Sequence, residues 1–270
     1  MKHKIALITL CYNESKIIPF VIDYWRKFVN HAYVFDNGST DNSRELLSEY
    51  DWITVIDYSH LTGNKLDDIM NMNIKNNFWK TIKHNYDWIV VCDFDECLYC
   101  EDWESVLDYY KKLRVECISP KYHNMICENF PEYNKDSLFH FDNTFETNIS
   151  QKDYEYRYTK LLLFNPKNIL ELNLAPGSHS AHPISIFSSY MQEGSPMITA
   201  SIFGKTSGIH CYHLCDIGLD YIIQKRKHNK EERMSDKQMK YRFAQHYMLE
   251  EEQIRNGFYE QWNNRKSIEE

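Results

Sequence analysis

The chain opens with a short apolar run over residues 4–11, KIALITLC, rich in β-branched residues. It breaks at the polar stretch YNES and resumes with apolar positions at Ile17, Ile18, Val21, Ile22, Trp25 and Phe28. The first run reads as a strand, and the spacing that follows reads as one face of a helix. The alternation then repeats. Residues 32–35 predict a second strand, and the loop DNGSTDNS offers Ser39, Thr40 or Asp41 to cap a helix carrying Leu46 and Leu47. Residues 52–56 predict a third strand, residues 67–84 a helix and residues 88–92 a fourth strand. The unbroken apolar character of that fourth strand suits burial on both faces.

Strands alternating with helices predict an α/β fold: a Rossmann-like, mostly parallel sheet flanked by helices and joined by right-handed crossovers. Ligands of such sheets bind beyond the carboxyl ends of the strands. The polar loops YNES and DNGSTD and the acidic stretch DFDE, residues 93–96, all fall at predicted strand ends, so sequence order alone collects them along one edge.

Further on the pattern changes. Residues 121–158 lose periodicity and mix aromatic with polar residues, without the Gly, Ser or Pro enrichment of a linker. Strand character returns at residues 159–164 and 208–213, and the end from Asp216 is helical and highly charged. This divides the chain into a ligand-binding half over residues 1–118, a second half of the same domain over 119–215 and a helical extension over 216–270.

Composition narrows the classes. With 270 residues, 43% of them hydrophobic, the chain is long enough for a full core. It contains no uninterrupted apolar stretch of roughly 18 to 20 residues and no small-residue cleavage site near its start, so a soluble chain that keeps its N-terminus is expected. A formal net charge of -8 disfavours nucleic-acid binding, which needs a basic face. Eight cysteines in a chain too long to need stapling read as reduced thiols in the cytoplasm.

The chemistry centres on WIVVCDFDEC, where an apolar strand ends in Asp93, Asp95 and Glu96. Such charges repel one another and resist burial, so they need open water or a cation. Asp93 and Asp95 lie two apart and can face one side of the loop while Phe94 turns the other way. Hard divalent ions such as Mg2+ and Mn2+ take one or two carboxylates together with substrate phosphates and water. A solvated acidic turn is the plain alternative.

Taken in order, CYNE after the first strand, FDNGSTD after the second and DWIVVCDFDE after the fourth resemble the family-2 glycosyltransferases of the GT-A fold, especially a subgroup with a DxDE element. The spacing, about 23 residues from Asn13 to Asp36 and about 57 on to Asp93, is similar to theirs. The resemblance implies a nucleotide-sugar donor, UDP-linked in expectation. Tyr12 and Asn13 would meet the base, Asp36 and Asn37 the base or ribose, and Asp93 the ribose and the metal-diphosphate. It also implies a metal, Mn2+ or Mg2+, held by Asp93 and Asp95, with His213 of GIHCYHLC completing its shell. Asn37 departs from the family's acid at that place. The acceptor would be a saccharide or glycolipid hydroxyl, the reaction inverting, and membrane contact at most peripheral, at the inner face.

An inverting transfer needs a base to take the acceptor's proton. Glu96, Glu146, Asp153 and Glu155 are candidates; Asp153 and Glu155 are favoured because they precede the returning strand TKLLLF, in which Lys160 could meet the diphosphate. His210 is a weaker metal candidate than His213, and His179 and His182 suit the acceptor side. A rival zinc reading uses Cys97, Cys100, Cys211, His213 and Cys215. Lys225, Arg226, Lys227 and Arg233 read as a solvated helix face, or as cations for donor phosphates or an anionic surface. Two further classes stay open: a nucleotidyltransferase-like metal enzyme, which CYNESK disfavours for want of a glycine-rich phosphate loop, and a non-catalytic nucleotide-sugar-binding protein.

Overall fold

The computed structural model describes residues 2–133, 145–147, 160, 163–178, 181–186, 201–203 and 208–267. The four predicted strands form at β1 (Ile5–Cys11), β2 (His31–Asp36), β3 (Ile53–Asp57) and β4 (Trp88–Val91), in parallel pairs with spatial order β3-β2-β1-β4. Alternation along each strand builds two cores on opposite faces of this sheet. Ile5 and Leu7 of β1 join Trp88 and Val90 of β4 in one apolar cluster, while Ala6 and Ile8 join Ile89 and Val91 in the other. Helix α1 (Ile18–Trp25) is buried at six of its eight positions and packs on a later strand, β5 (Glu96–Tyr99), so it is an interior helix with apolar residues on most of its circumference.

The helical stretch predicted over residues 67–84 is broken. After α2 (Ser43–Ser48) and the short α3 (Ser59–Thr62), α4 (Asp68–Asn77) ends at Phe78 and α5 (Trp79–Ile82) continues into a single 3-10 turn. Asn77 donates its side-chain amide to the Asn73 carbonyl at 2.9 Å, a local bond that competes with the helix's own ladder at the break. Asp67 caps the start of α4, accepting from the N–H groups of Ile69 and Met70 at 3.1 and 3.0 Å.

Beyond α6 (Trp103–Lys112), strands β6 (Cys117–Ser119), β9 (Leu163–Phe164) and β12 (Ser201–Phe203) complete a seven-stranded sheet, order β12-β6-β9-β4-β1-β2-β3, with β9 antiparallel to both neighbours. A second sheet, order β5-β13-β7-β8, joins β7 (Lys121–Cys127), β8 (Phe145–Glu146) and β13 (His210–Ile217). A small pair, β10 (Ile169–Glu171) with β11 (Ile184–Ser185), stands apart. The register of β13 against β5 sets His213 opposite Glu96, and that against β7 sets it opposite Asn124, so a residue more than a hundred positions away arrives beside DFDE.

The charged end folds as α7 (Leu219–His228), a π-helical turn over Asn229–Arg233, α8 (Asp236–Tyr241) and α9 (Glu251–Asn263). Leu219, Ile222 and Ile223 of α7 pack with Ile254 and Phe258 of α9, which seats this end of the chain on the body. The entry to α7 is Gly218, with φ +77°; a Cβ there would lie 2.9 Å from the Phe130 backbone. Strained backbone of this kind costs on the order of 1–3 kcal/mol for a residue with a side chain, before any clash. Gly218→Ala is therefore expected to destabilise the chain by about 2 kcal/mol or more, read as a lower midpoint in chemical denaturation; an unchanged midpoint would mean that the α7 junction is not constrained as described.

Candidate active site

The sheet's strand order reverses between β1 and β4, and a cavity of about 800 Å³ opens at their carboxyl ends. Its wall takes Tyr12 and Glu14 from the β1 loop, Asn37 from the β2 loop, Asp93 and Asp95 from the β4 loop, His213 from β13, and Lys225 and Arg233 from the C-terminal helices.

The first two loops are tied to each other. Asn13 sits at φ +53°, and its side-chain oxygen accepts from the Thr40 and Asp41 N–H groups at 2.7 and 3.3 Å while its amide donates to Thr40 Oγ1 at 3.1 Å. Asp36, fully buried, accepts from the N–H groups of Gly38 and Ser39, both at 3.0 Å, and from Ser39 Oγ at 2.5 Å. Asn37 donates to the Lys65 carbonyl at 3.0 Å and accepts from Thr62 Oγ1 at 2.6 Å. Asp41 accepts from Ser43 N–H and from Ser15 N–H; the N-cap of α2 is Asn42, one residue beyond the expected Ser39, Thr40 or Asp41, and it makes no side-chain cap bond. The polar atoms of Asn13, Asp36 and Asn37 are thus spent on holding the loops. Of the β1 and β2 loop residues expected to meet a nucleotide, Tyr12 keeps a ring on the cavity wall.

The DFDE turn is bound by lysines. Asp93 accepts from Lys75 Nζ at 2.5 Å and from Lys160 Nζ at 2.6 Å, one ammonium on each oxygen. Lys160 also donates to Glu96 Oε1 at 2.7 Å, and the other Glu96 oxygen accepts the Asp93 N–H at 2.8 Å. Glu96 is wholly buried and Lys160 is 4% exposed, while the Asp93 side chain, 37% exposed, faces the cavity. Burial pushes the Asp93 carboxyl up, but Lys160 and Lys75 outweigh it and hold it well below the usual carboxylate range.

Asp95 is brought to His213. Its Oδ1 lies 3.6 Å from His213 Nε2, and the other ring nitrogen, Nδ1, is 2.9 Å from Asn124 Oδ1, which can only accept. That bond fixes the proton on Nδ1 and turns Nε2 toward Asp95, the way outer partners orient a metal-binding imidazole. Burial works against both charges; His213 nevertheless holds Asp95 at about 2, and Cys215 together with Asp95 raises His213 well above its ordinary value. Of the three predicted metal ligands, Asp95 and His213 fit a divalent ion whose remaining positions come from phosphate and water. Asp93, with both oxygens taken by ammonium groups, does not fit one without displacing a lysine.

The remaining predicted residues fall as follows. Asp153, Glu155 and His179 lie outside the described residues. Glu146 accepts from buried His123, which contacts His210 at 2.8 Å; alternation puts these histidines on the opposite face of the second sheet from His213, away from the cavity lining. His182 also lies off the cavity. No group of three or more His, Cys, Asp or Glu among the described residues could hold a metal ion, and burial pushes the Cys97 and Cys211 thiols well above their ordinary range and those of Cys100 and Cys215 up to about 11. Without such a group, the zinc reading finds no set of ligands among the described residues.

Sequence reading missed Lys75, which follows the core-packed Met70 and Ile74 in the helix DIMNMNIKNN, and Glu14, which binds Lys225 through both oxygens at 2.7 and 3.0 Å. The signal for Glu14 was present in YNES; its partner, 211 residues on, was not.

Residues 5–182 match the model of glycosyltransferase family 92. The motifs pointed to family 2 and its DxDE subgroup; the matching family is 92. No curated protein sequence matches the chain. Among solved structures, TarS 1–349 of S. aureus in complex with UDP shares 16% identity over 60% of this chain and 47% of its own, at a TM-score of 0.38. The same protein with UDP-GlcNAc shares 12% over 84% and 65%, at 0.43. Glucosyl-3-phosphoglycerate synthase of Mycobacterium tuberculosis, in complex with Mn2+, UDP and glucosyl-3-phosphoglycerate, shares 17% over 44% of each chain, at 0.29. The chain therefore spans less than two thirds of the length of these structures.

The lysine clamp makes its own prediction. Removing one partner of a buried ion pair costs about 3–5 kcal/mol, because the other charge is left unpaired. Lys160→Met is expected to lose about 3 kcal/mol of stability at pH 7, and Lys160→Met with Glu96→Gln to recover part of it. A carboxyl held below its unfolded value stabilises the fold above that value and stops doing so as pH falls, so the gap between the natural chain and Lys160→Met should narrow below about pH 4. Urea denaturation at pH 7 and pH 3 checks both; equal stabilities at pH 7 would remove the clamp from the account.

Proposed function

Because the chain belongs to glycosyltransferase family 92, we propose that it transfers one sugar from a nucleotide-linked donor, UDP in expectation, to a saccharide or glycolipid hydroxyl, with the donor lying in the cavity at the β1–β4 reversal. The observation that carries this reading is the approach of Asp95 to His213 Nε2 on the cavity wall, beside a run of buried cations. A divalent ion there, Mn2+ or Mg2+, would act as a Lewis acid on the leaving diphosphate. The chain's own residues supply the rest. Asn124 holds the proton on His213 Nδ1, and Lys75 and Lys160 bring two positive charges to the wall where negative charge develops. Buried beneath the site, Glu96 keeps Lys160 in position.

The acceptor's proton goes to Asp153 or Glu155 in this proposal, with direct displacement and inversion. That assignment rests on their place in the sequence before the returning strand. The cytoplasmic setting and peripheral membrane contact rest on composition and motif resemblance; no helix among the described residues is long and apolar enough to cross a membrane.

A thermal-shift panel of UDP, GDP, CDP and ADP, with Mn2+ and after chelation, tests the reading. UDP at 100 times its dissociation constant should stabilise the fold by about 2.7 kcal/mol with metal present. Chelation, Asp95→Asn or His213→Ala should each remove most of that shift while leaving the unliganded midpoint within a few degrees. If no nucleoside diphosphate raises the midpoint with any metal, the donor-site reading is wrong.

A further inference from the structure

Among the lysines and arginines of the cavity wall, Arg242 is exposed and four others reach carboxylates. Lys75 and Lys160 pair with Asp93, Lys225 with Glu14, and Arg226 approaches Asp216 at 3.8 Å. Arg233 differs. It is 4% exposed, it forms no ion pair among the described residues, and its Nε and Nη2 find no hydrogen-bond acceptor. Its guanidinium instead lies over the Tyr12 ring at 3.3 Å from the centroid, and Tyr12 in turn bonds His228 through its hydroxyl at 2.9 Å. Burying a charge without a counter-charge is costly, and two unmade hydrogen bonds add to the cost. The backbone keeps it there regardless: the π-helical turn ends at Arg233, whose carbonyl accepts the Leu66 N–H at 3.0 Å, and Lys65 Nζ donates to the Glu232 carbonyl at 2.6 Å. Single π-helical turns are frequent at functional sites.

We propose that Arg233 is a diphosphate-binding residue of the donor site, its Nε and Nη2, closed to solvent in the free chain, turning as a fork to two oxygens of one phosphoryl group. Those two N–H groups are adjacent and parallel, a geometry that matches a pair of phosphate oxygens and not a single carbonyl. The proposal rests on the nucleotide-sugar reading of the same cavity and goes beyond it. It adds to the β2 loop, where Asp36 bonds its own turn and Asn37 bonds Thr62 and Lys65, a contact from the C-terminal π-turn. Tyr12 then serves as the platform that holds the fork flat, and a phosphoryl group supplies the acceptors that the free chain lacks.

The test compares UDP with uridine, which lacks the phosphates, on the natural chain, Arg233→Met and Arg233→Lys, by ligand-observed NMR and calorimetry with Mn2+ present. Arg233→Met keeps much of the stem's packing and should fold; the expected result is a roughly tenfold to hundredfold loss of UDP affinity, the range for hydrogen bonds to a charged group, with uridine affinity unchanged. Arg233→Lys keeps the charge without the fork and should fall between, and it gives the same reading if the methionine variant does not fold. Unchanged UDP affinity in both variants would overturn the proposal and leave Arg233 as a packing residue. An equal loss for UDP and uridine would also overturn it, assigning Arg233 to the base. If the natural chain binds UDP in neither the presence nor the absence of metal, the donor-site reading itself fails, which separates the two failures.

Discussion

A carboxylate placed at the end of a strand covered on both faces must find a counter-charge, and Asp93 finds two. Trp88, Ile89, Val90 and Val91 put the β4 strand wholly inside the protein, so its continuation into DFDE leaves the interior on a path lined by apolar residues. Lys75 from α4 and Lys160, which reaches in from the later half of the chain, meet on Asp93, and Lys160 also holds Glu96. This cluster ties α4, the β4 loop and β5 together at the point where the sheet reverses. The cavity depends on it, because its walls come from those same elements.

The opening strands and their order along the sheet edge were legible because they follow from local pattern: alternation fixed which residues of β1 and β4 face which core, and the continuous apolar run marked the strand buried on both sides. The meeting of His213 with Asp95 was legible only through motif resemblance, since a β13 register against two strands cannot be read from spacing. Lys75 was not legible at all. Its helix is polar on most sides, and the residue's importance comes from a carboxylate 18 positions on. Asn13, Asp36 and Asn37 show a competing use of polar loop residues: types suited to ligand contact also hold the backbone, Asp36 in its own turn, Asn13 across to the β2 loop and Asn37 to the segment after β3.

The clamp also bears on how a divalent ion would be shared. Both carboxylates of DxD can be metal ligands only if neither is already neutralised, and here the first carries two ammonium groups while the second faces an imidazole. A divalent ion would therefore fit on the His213 side, while at the Asp93 end two lysines face two carboxyl groups, those of Asp93 and Glu96. An anionic leaving group meets lysine charge on one flank and the Asp95–His213 pair on the other.

That balance explains why an unpaired arginine is tolerated at the remaining flank. Every other cation of the wall that reaches a carboxylate is partly silenced by it, so the field presented to a diphosphate would be weak if all were paired. Arg233, stacked on Tyr12 and held by the backbone of the π-turn, keeps its charge uncompensated in the free chain, at a cost in stability that the packing of α7 against α9 can carry. The cost falls on the ligand-free state and is relieved when an anion enters. Under the proposed donor reading, the C-terminal helices, which read as a solvated charged tail, would decide how tightly the cavity holds phosphate.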